Sequence, residues 1–149
     1  MKSRSPAICE EGSVIAVPID LLTDMIQHAR EYSPVEACGL LAGTDGTIQK
    51  SYRLTNMDAS REHFSLDPKE HFAAVKDARS LGLEILAVYH SHPETPARMS
   101  DEDLRLAIAP GFRYVIISLI DPDQPDVRCF YVIDGRTVEE QVQIQELQK

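Results

Sequence analysis

Cysteine is scarce in this chain. Its 149 residues hold three, Cys9, Cys38 and Cys129, widely spaced and without a C-x-x-C pair. An odd, scattered set argues against a disulfide framework and fits a reducing, cytoplasmic compartment. Long apolar runs are missing too: no stretch reaches the roughly 18–20 residues of a membrane span. The start, Met1-Lys2-Ser3-Arg4-Ser5-Pro6, is positively charged with no apolar run behind it, unlike a signal peptide. Basic clusters are absent. A formal net charge of −9 argues against nonspecific nucleic-acid binding and favours partners that are neutral or basic near the docking face. Internal repeats, low-complexity segments and linkers are absent as well. What is there has the composition of an ordinary globular domain, 43% hydrophobic and 26% charged, with length enough for a sizeable core.

Helical and extended patterns alternate along the chain. Residues 14–17 read as a strand ended by Pro18. Ile19, Leu22, Ile26 and Ala29 then recur at helical spacing, which predicts a helix to about Tyr32. It stops before Ser33-Pro34, because a proline pushes the residue before it out of the α region. Residues 35–43 read as a buried strand, and Thr44-Asp45-Gly46-Thr47 as a hairpin turn into a strand over 48–54. The polar stretch 55–64 looks like a surface loop, and 64–66 like a short strand. Asp67-Pro68 is a helix start, with Asp at the N-cap and Pro at the first helical position. That helix covers about 69–81, with Gly82 beyond its end and Phe72, Val75, Ala78 and the stem of Arg79 expected inward. Residues 83–89 form a strand, 101–108 a short helix ended by Pro110-Gly111, and 114–120 a central buried strand. Strands over 127–133 and 137–144 flank a tight turn at Asp134-Gly135. The order predicts a mixed α and β domain built around one sheet.

Chemistry concentrates in residues 89–103, Tyr-His-Ser-His-Pro-Glu-Thr-Pro-Ala-Arg-Met-Ser-Asp-Glu-Asp. If the strand runs on into the histidines, His90 and His92 lie two apart and point to one face. Two imidazoles on one face converge on a single metal ion. Asp103, in the first turn of the helix that opens near Ser100, brings a carboxylate to the same point. Asp101 and Glu102 rival it on spacing alone. Two nitrogens and one carboxylate make a three-ligand zinc site whose fourth position is left for water, the layout of catalytic rather than structural zinc. A plainer reading stands beside this one: Ser100 with Asp103 also fits a helix N-cap with an acidic residue three positions on, which requires no metal. His28, His63 and His71 read as packing or surface residues. Glu36 is a carboxylate at the mouth of an apolar strand. It is either a solvated strand end or the group that takes a proton from the attacking water. The hydroxyl of Ser100 is a candidate donor to the oxyanion.

Glu36 in V-E-A-C-G-L-L-A-G, followed downstream by H-S-H-P-E-T-P-A-R-M-S-D-E-D, resembles the JAMM (MPN+) metalloprotease family. That family's pattern is an upstream Glu and then H-S/T-H-P-x6-S-x-x-D, and every position is filled. The resemblance covers about residues 14–133. It implies zinc ligation by His90, His92 and Asp103, which settles the rivalry among the acids, with acid–base work by Glu36 and oxyanion support by Ser100. It implies an α/β (α+β) fold, a cytidine-deaminase-like single mixed β-sheet flanked by helices. Residues 1–12 are then a flexible leader and 13–149 a single domain. The family cleaves after the C-terminal Gly-Gly of ubiquitin-like proteins, and this compact chain resembles the prokaryotic members that process sulfur carriers. The implied partner is such a carrier, with neither nucleic acid nor membrane, and a homodimer is left open. The Gly-Gly tail is expected in a groove beside the metal, added as a strand to a sheet edge and walled by residues 55–64 and 93–99. The competing functions are a noncatalytic scaffold of the same fold and a small-molecule zinc hydrolase. The base-deaminase signature H-x-E…P-C-x-x-C is absent.

Overall fold

The computed structural model describes residues 14–106 and 112–146. In chain order the elements are β1 (Val14–Pro18), α1 (Ile19–Tyr32), β2 (Cys38–Thr44), β3 (Thr47–Leu54), α2 (Pro68–Ser80), β4 (Glu84–His92), α3 (Asp101–Leu106), β5 (Arg113–Ser118), β6 (Asp126–Ile133) and β7 (Arg136–Gln145). The expected leader, the end of the short helix and Cys9 lie outside the described residues.

Local chemistry sets the boundaries. Asp20 in the first turn and Arg30 in the last complement the dipole of α1. At α2, Asp67 accepts from the Lys69 amide at 2.9 Å and Pro68 follows as the first helical residue. Gly82, at φ +76°, takes the left-handed position beyond the helix end. The turns joining β2 to β3 and β6 to β7 place Asp45-Gly46 and Asp134-Gly135 at positive φ, as tight hairpins require.

The sheet is single and mixed, in the order β1-β3-β2-β4-β5-β6-β7, and it closes because β1 also pairs in parallel with β7. β4 and β5 run parallel, linked by the segment that contains α3. Packing on the two faces explains the near-continuous apolar runs of the central strands. On one face Leu22, Met25 and Ala29 of α1 meet Leu41, Tyr89, Val115 and Ile117. On the other, Ala74 of α2 joins Leu40, Val88, Tyr114 and Ile116. Among the described residues no helix is long and apolar enough to cross a membrane.

Several expectations are corrected. Phe72 points outward and is 71% exposed, and Arg79 is exposed too. Ala74 and Ala78, four apart, carry the contact with the sheet, so α2 lies close to it and residue 72 falls on the far side. The second strand starts at Cys38 rather than residue 35, and 64–66 contributes only an isolated Asn56–Leu66 bridge. The expected last strand, β7, does not end the sheet as a free edge, because β1 pairs along it. The outer side of β3 meets β1 only at Thr47, and Arg53 there reaches to Asp24 and Glu31 of α1.

Candidate metal centre

β4 continues through both histidines, so strand alternation puts Val88, His90 and His92 on the α2 face while Ala87 and Tyr89 face α1. After His92 the chain turns back over the sheet. Ser118 Oγ donates to the Thr95 carbonyl at 2.6 Å, and the buried Ala97 and Met99 pin the turn from below. Ser100 Oγ then accepts from the Asp103 amide while Asp103 Oδ2 accepts from the Ser100 amide, each at 3.0 Å. This reciprocal cap starts α3 and aims the Asp103 carboxylate at the histidines. The cap and the approach to the histidines therefore involve the same residue, Asp103.

Three donor atoms meet there. His90 Nε2 and His92 Nε2 are 3.2 Å apart, and Asp103 Oδ2 lies 3.2 Å from the first and 3.1 Å from the second. Bonds of about 2.0–2.1 Å to a tetrahedral ion would set neighbouring donors about 3.3 Å apart, so the spacing suits one small cation. Two imidazoles favour zinc over magnesium or calcium, which prefer all-oxygen shells. His92 Nδ1 lies 2.8 Å from the Pro96 carbonyl; donating there fixes the tautomer that leaves Nε2 with a lone pair. All three side chains are buried. Burial holds His90 below the usual imidazole range. At His92 burial acts in the same direction but is outweighed by Asp103 and the Pro96 carbonyl, and the net shift is upward. For Asp103 burial opposes ionisation, yet the two histidines and the Ser100 amide hold the carboxyl far below its ordinary range. Asp103 is thus ionised and His90 keeps its lone pair, while the proton favoured on His92 is the one a cation would have to displace. Asp101 is exposed on the rim of the groove and takes no part in the cluster.

Glu36 reaches the same place by register. Cys38 pairs with His90, and Ala37 and Ser91 exchange two bonds, Ser91 N to Ala37 O at 3.0 Å and Ala37 N to Ser91 Oγ at 2.8 Å. One step further puts Glu36 opposite His92. Its side chain is 2% exposed and Oε1 has no partner. Burial raises its carboxyl to about 8; His92 pulls the other way, and Asp103 and Glu62 add to the rise.

One residue at this site was not singled out by sequence reasoning. Asn56 sits in the supposed surface loop yet is 4% exposed. Its amide nitrogen donates to the carbonyls of Glu36 and His63, both at 3.0 Å, and its oxygen accepts from Asp58 N at 3.0 Å and Ser65 N at 3.2 Å. It ties the Glu36 backbone to the loop bearing Phe64, whose ring stacks on His90 at 4.6 Å. An Asn in a polar run carries no distinguishing signal without the register. Of the other histidines, His28 is buried against Tyr89 Oη at 2.6 Å, His63 is near Asp58 at the surface, and His71 is exposed. Beside the cluster runs a groove of about 420 Å³, lined by His92, Thr95, Pro96, Arg98, Met99, Ser100 and Asp101. Thr95, Pro96, Arg98 and Met99 of the turn line it, whereas none of residues 55–64, expected as the other wall, is among its lining residues.

Fold and relatives together define a hydrolase of the JAMM type. The family model for prokaryotic homologs of the JAB domain matches residues 18–133, and the chain belongs to that family. It is 35% identical to the CysO-cysteine peptidase of Mycobacterium tuberculosis over 138 residues, 89% of this chain and 92% of that one. It is 33% identical to the desampylase of Haloferax volcanii over 114 residues, covering 72% and 82% of the two chains. A solved structure from Desulfitobacterium hafniense superposes with a TM-score of 0.83 at 44% identity, covering 89% of this chain and 94% of that one.

Proposed function

We propose that the chain is a zinc-dependent peptidase that hydrolyses the bond following the C-terminal Gly-Gly of a ubiquitin-like or sulfur-carrier protein, with residues 13–149 as one catalytic domain. The observation that carries this reading is the convergence of His90, His92 and Asp103 within 3.1–3.2 Å of one another. The names of the relatives, a CysO-cysteine peptidase and a desampylase, support the substrate class.

His90, His92 and Asp103 would hold the ion. When bound, zinc supplies Lewis acidity, lowering the pKa of a coordinated water and polarising the scissile carbonyl. Glu36 does the proton work. Its unpartnered oxygen accepts a proton from the attacking water, whose oxygen bonds to the carbonyl carbon. The same proton passes to the departing nitrogen as the carbon–nitrogen bond breaks, and the water's second proton then moves from the new carboxyl to the amine, leaving a carboxylate on the terminal glycine and an ammonium group. Without metal, burial keeps the Glu36 carboxyl protonated up to about 8; a cation held beside it would favour the carboxylate that accepts the proton. Ser100 Oγ already accepts from the Asp103 amide, so its own proton is free to donate to the developing oxyanion. The Gly-Gly tail follows the groove beside His92.

The test is direct. Zinc-loaded protein is mixed with a ubiquitin-fold carrier extended beyond Gly-Gly, and the products are weighed by mass spectrometry. Cleavage after the second glycine, lost in Glu36→Gln with zinc retained, is the expected result. No cleavage of any such tail refutes the substrate assignment, and an active Glu36→Gln removes Glu36 from the mechanism.

A further inference from the structure

The groove wall carries one charged side chain that the chemistry above does not use. Arg98 sits between Ala97 and Met99, both buried, so the turn presents it outward over the groove. The turn is held at several points. His92 Nδ1 lies 2.8 Å from the Pro96 carbonyl, Arg98 N donates to the same carbonyl at 2.9 Å, and Ser118 Oγ holds the Thr95 carbonyl. Arg98 itself makes no ion pair among the described residues. Arg61, across from the same turn, faces Glu94 at 3.9 Å. In a chain of net charge −9, an unpaired guanidinium on a fixed turn beside a metal-ligand cluster is a site for an anion.

We propose that Arg98 binds the free α-carboxylate of the residue that follows the scissile bond, so that the enzyme releases a single C-terminal amino acid from its carrier. This rests on the reading of the site as a tail peptidase and adds to it the chemical class of the leaving group. A planar guanidinium takes a carboxylate in a two-pronged bond, and the C-terminal residue is the one that offers a free α-carboxylate beside the bond to be cut. A residue joined through a lysine side chain, or followed by more chain, has none there. Asp101, on the same groove wall, would repel a carboxylate that lacked this counter-charge.

Two carriers differing at one group make the test: a ubiquitin-fold protein ending Gly-Gly-Ala with a free carboxylate, and the same protein ending in a carboxamide. The zinc-loaded full chain should cut the carboxylate tail at least about tenfold better in kcat/KM, chiefly through KM. Arg98→Met should erase that preference and Arg98→Lys should keep part of it, with zinc content and Tm unchanged in both. Tail binding to Glu36→Gln protein gives a second readout independent of turnover: the carboxylate tail binds more tightly, and adding Arg98→Met removes the difference. Equal cutting of both tails, or a preference that survives Arg98→Met, overturns the role of Arg98 and leaves the peptidase reading standing. If neither tail is cut, the peptidase reading falls, and equal binding of the two tails to Glu36→Gln then overturns Arg98 as well.

Discussion

Removing the charge from Glu36 should change how stability depends on pH, in a direction the structure fixes. Burial raises the Glu36 carboxyl from 4.5 to about 8. Between those values the folded chain keeps a proton that the unfolded chain has released. Stability therefore falls as pH rises through that window and levels off above it. One pKa unit corresponds to about 1.4 kcal/mol, so the full shift has a ceiling of about 5 kcal/mol, and local relaxation around a buried carboxylate reduces this to about 2–3 kcal/mol. Glu36→Gln holds the group neutral with nearly the same shape. Urea unfolding of metal-free protein, from about pH 5 to pH 8.5, should show the variant gaining on the parent by about 2–3 kcal/mol across the range. Saturating zinc should narrow the gap, because a nearby cation favours the carboxylate. Parallel curves for parent and variant would refute the buried, unpartnered placement of Glu36.

Further outcomes follow from neighbouring residues. Asn56→Ala strands two carbonyls and two amides, and should cost about 2–4 kcal/mol by urea unfolding. Turnover should fall more than substrate affinity, because Glu36 and His90 lose their common support; a loss below about 1 kcal/mol would contradict the hub. Tyr89→Phe leaves His28 Nδ1 buried without its 2.6 Å partner and should cost about 1–2 kcal/mol. Zinc content should not change, since Tyr89 faces away from the ligands, and zinc loss would contradict the strand alternation. Phe72→Glu should shift stability by no more than about 0.5 kcal/mol, whereas a core phenylalanine would cost several.

Much of this molecule is written in local sequence signals. Helix α1 ends where Ser33-Pro34 says it must, and α2 starts at the Asp-Pro pair, because caps and prolines act over a few residues. The H-x-H-x7-S-x-x-D spacing foretold a cluster because strand alternation and a capped helix turn have fixed geometry. What stayed hidden depends on contacts distant in sequence. Phe72 looks like a core residue until two alanines bring α2 against the sheet. Asn56 looks like loop polarity until the register of β2 on β4 sets the Glu36 carbonyl beside it. Closure of the sheet rests on β1 pairing with β7, more than 100 residues away in sequence.

The central claim is that two imidazoles from one strand and a carboxylate from the next helix hold one divalent ion. Metal content of the purified protein, measured by mass spectrometry after equilibration with zinc and removal of the excess, tests it most directly. About one zinc per chain in the parent and in Glu36→Gln, and almost none in His90→Ala or Asp103→Ala, is the predicted result. A parent that retains no zinc, or a His90→Ala variant that binds it as fully as the parent, would contradict the account.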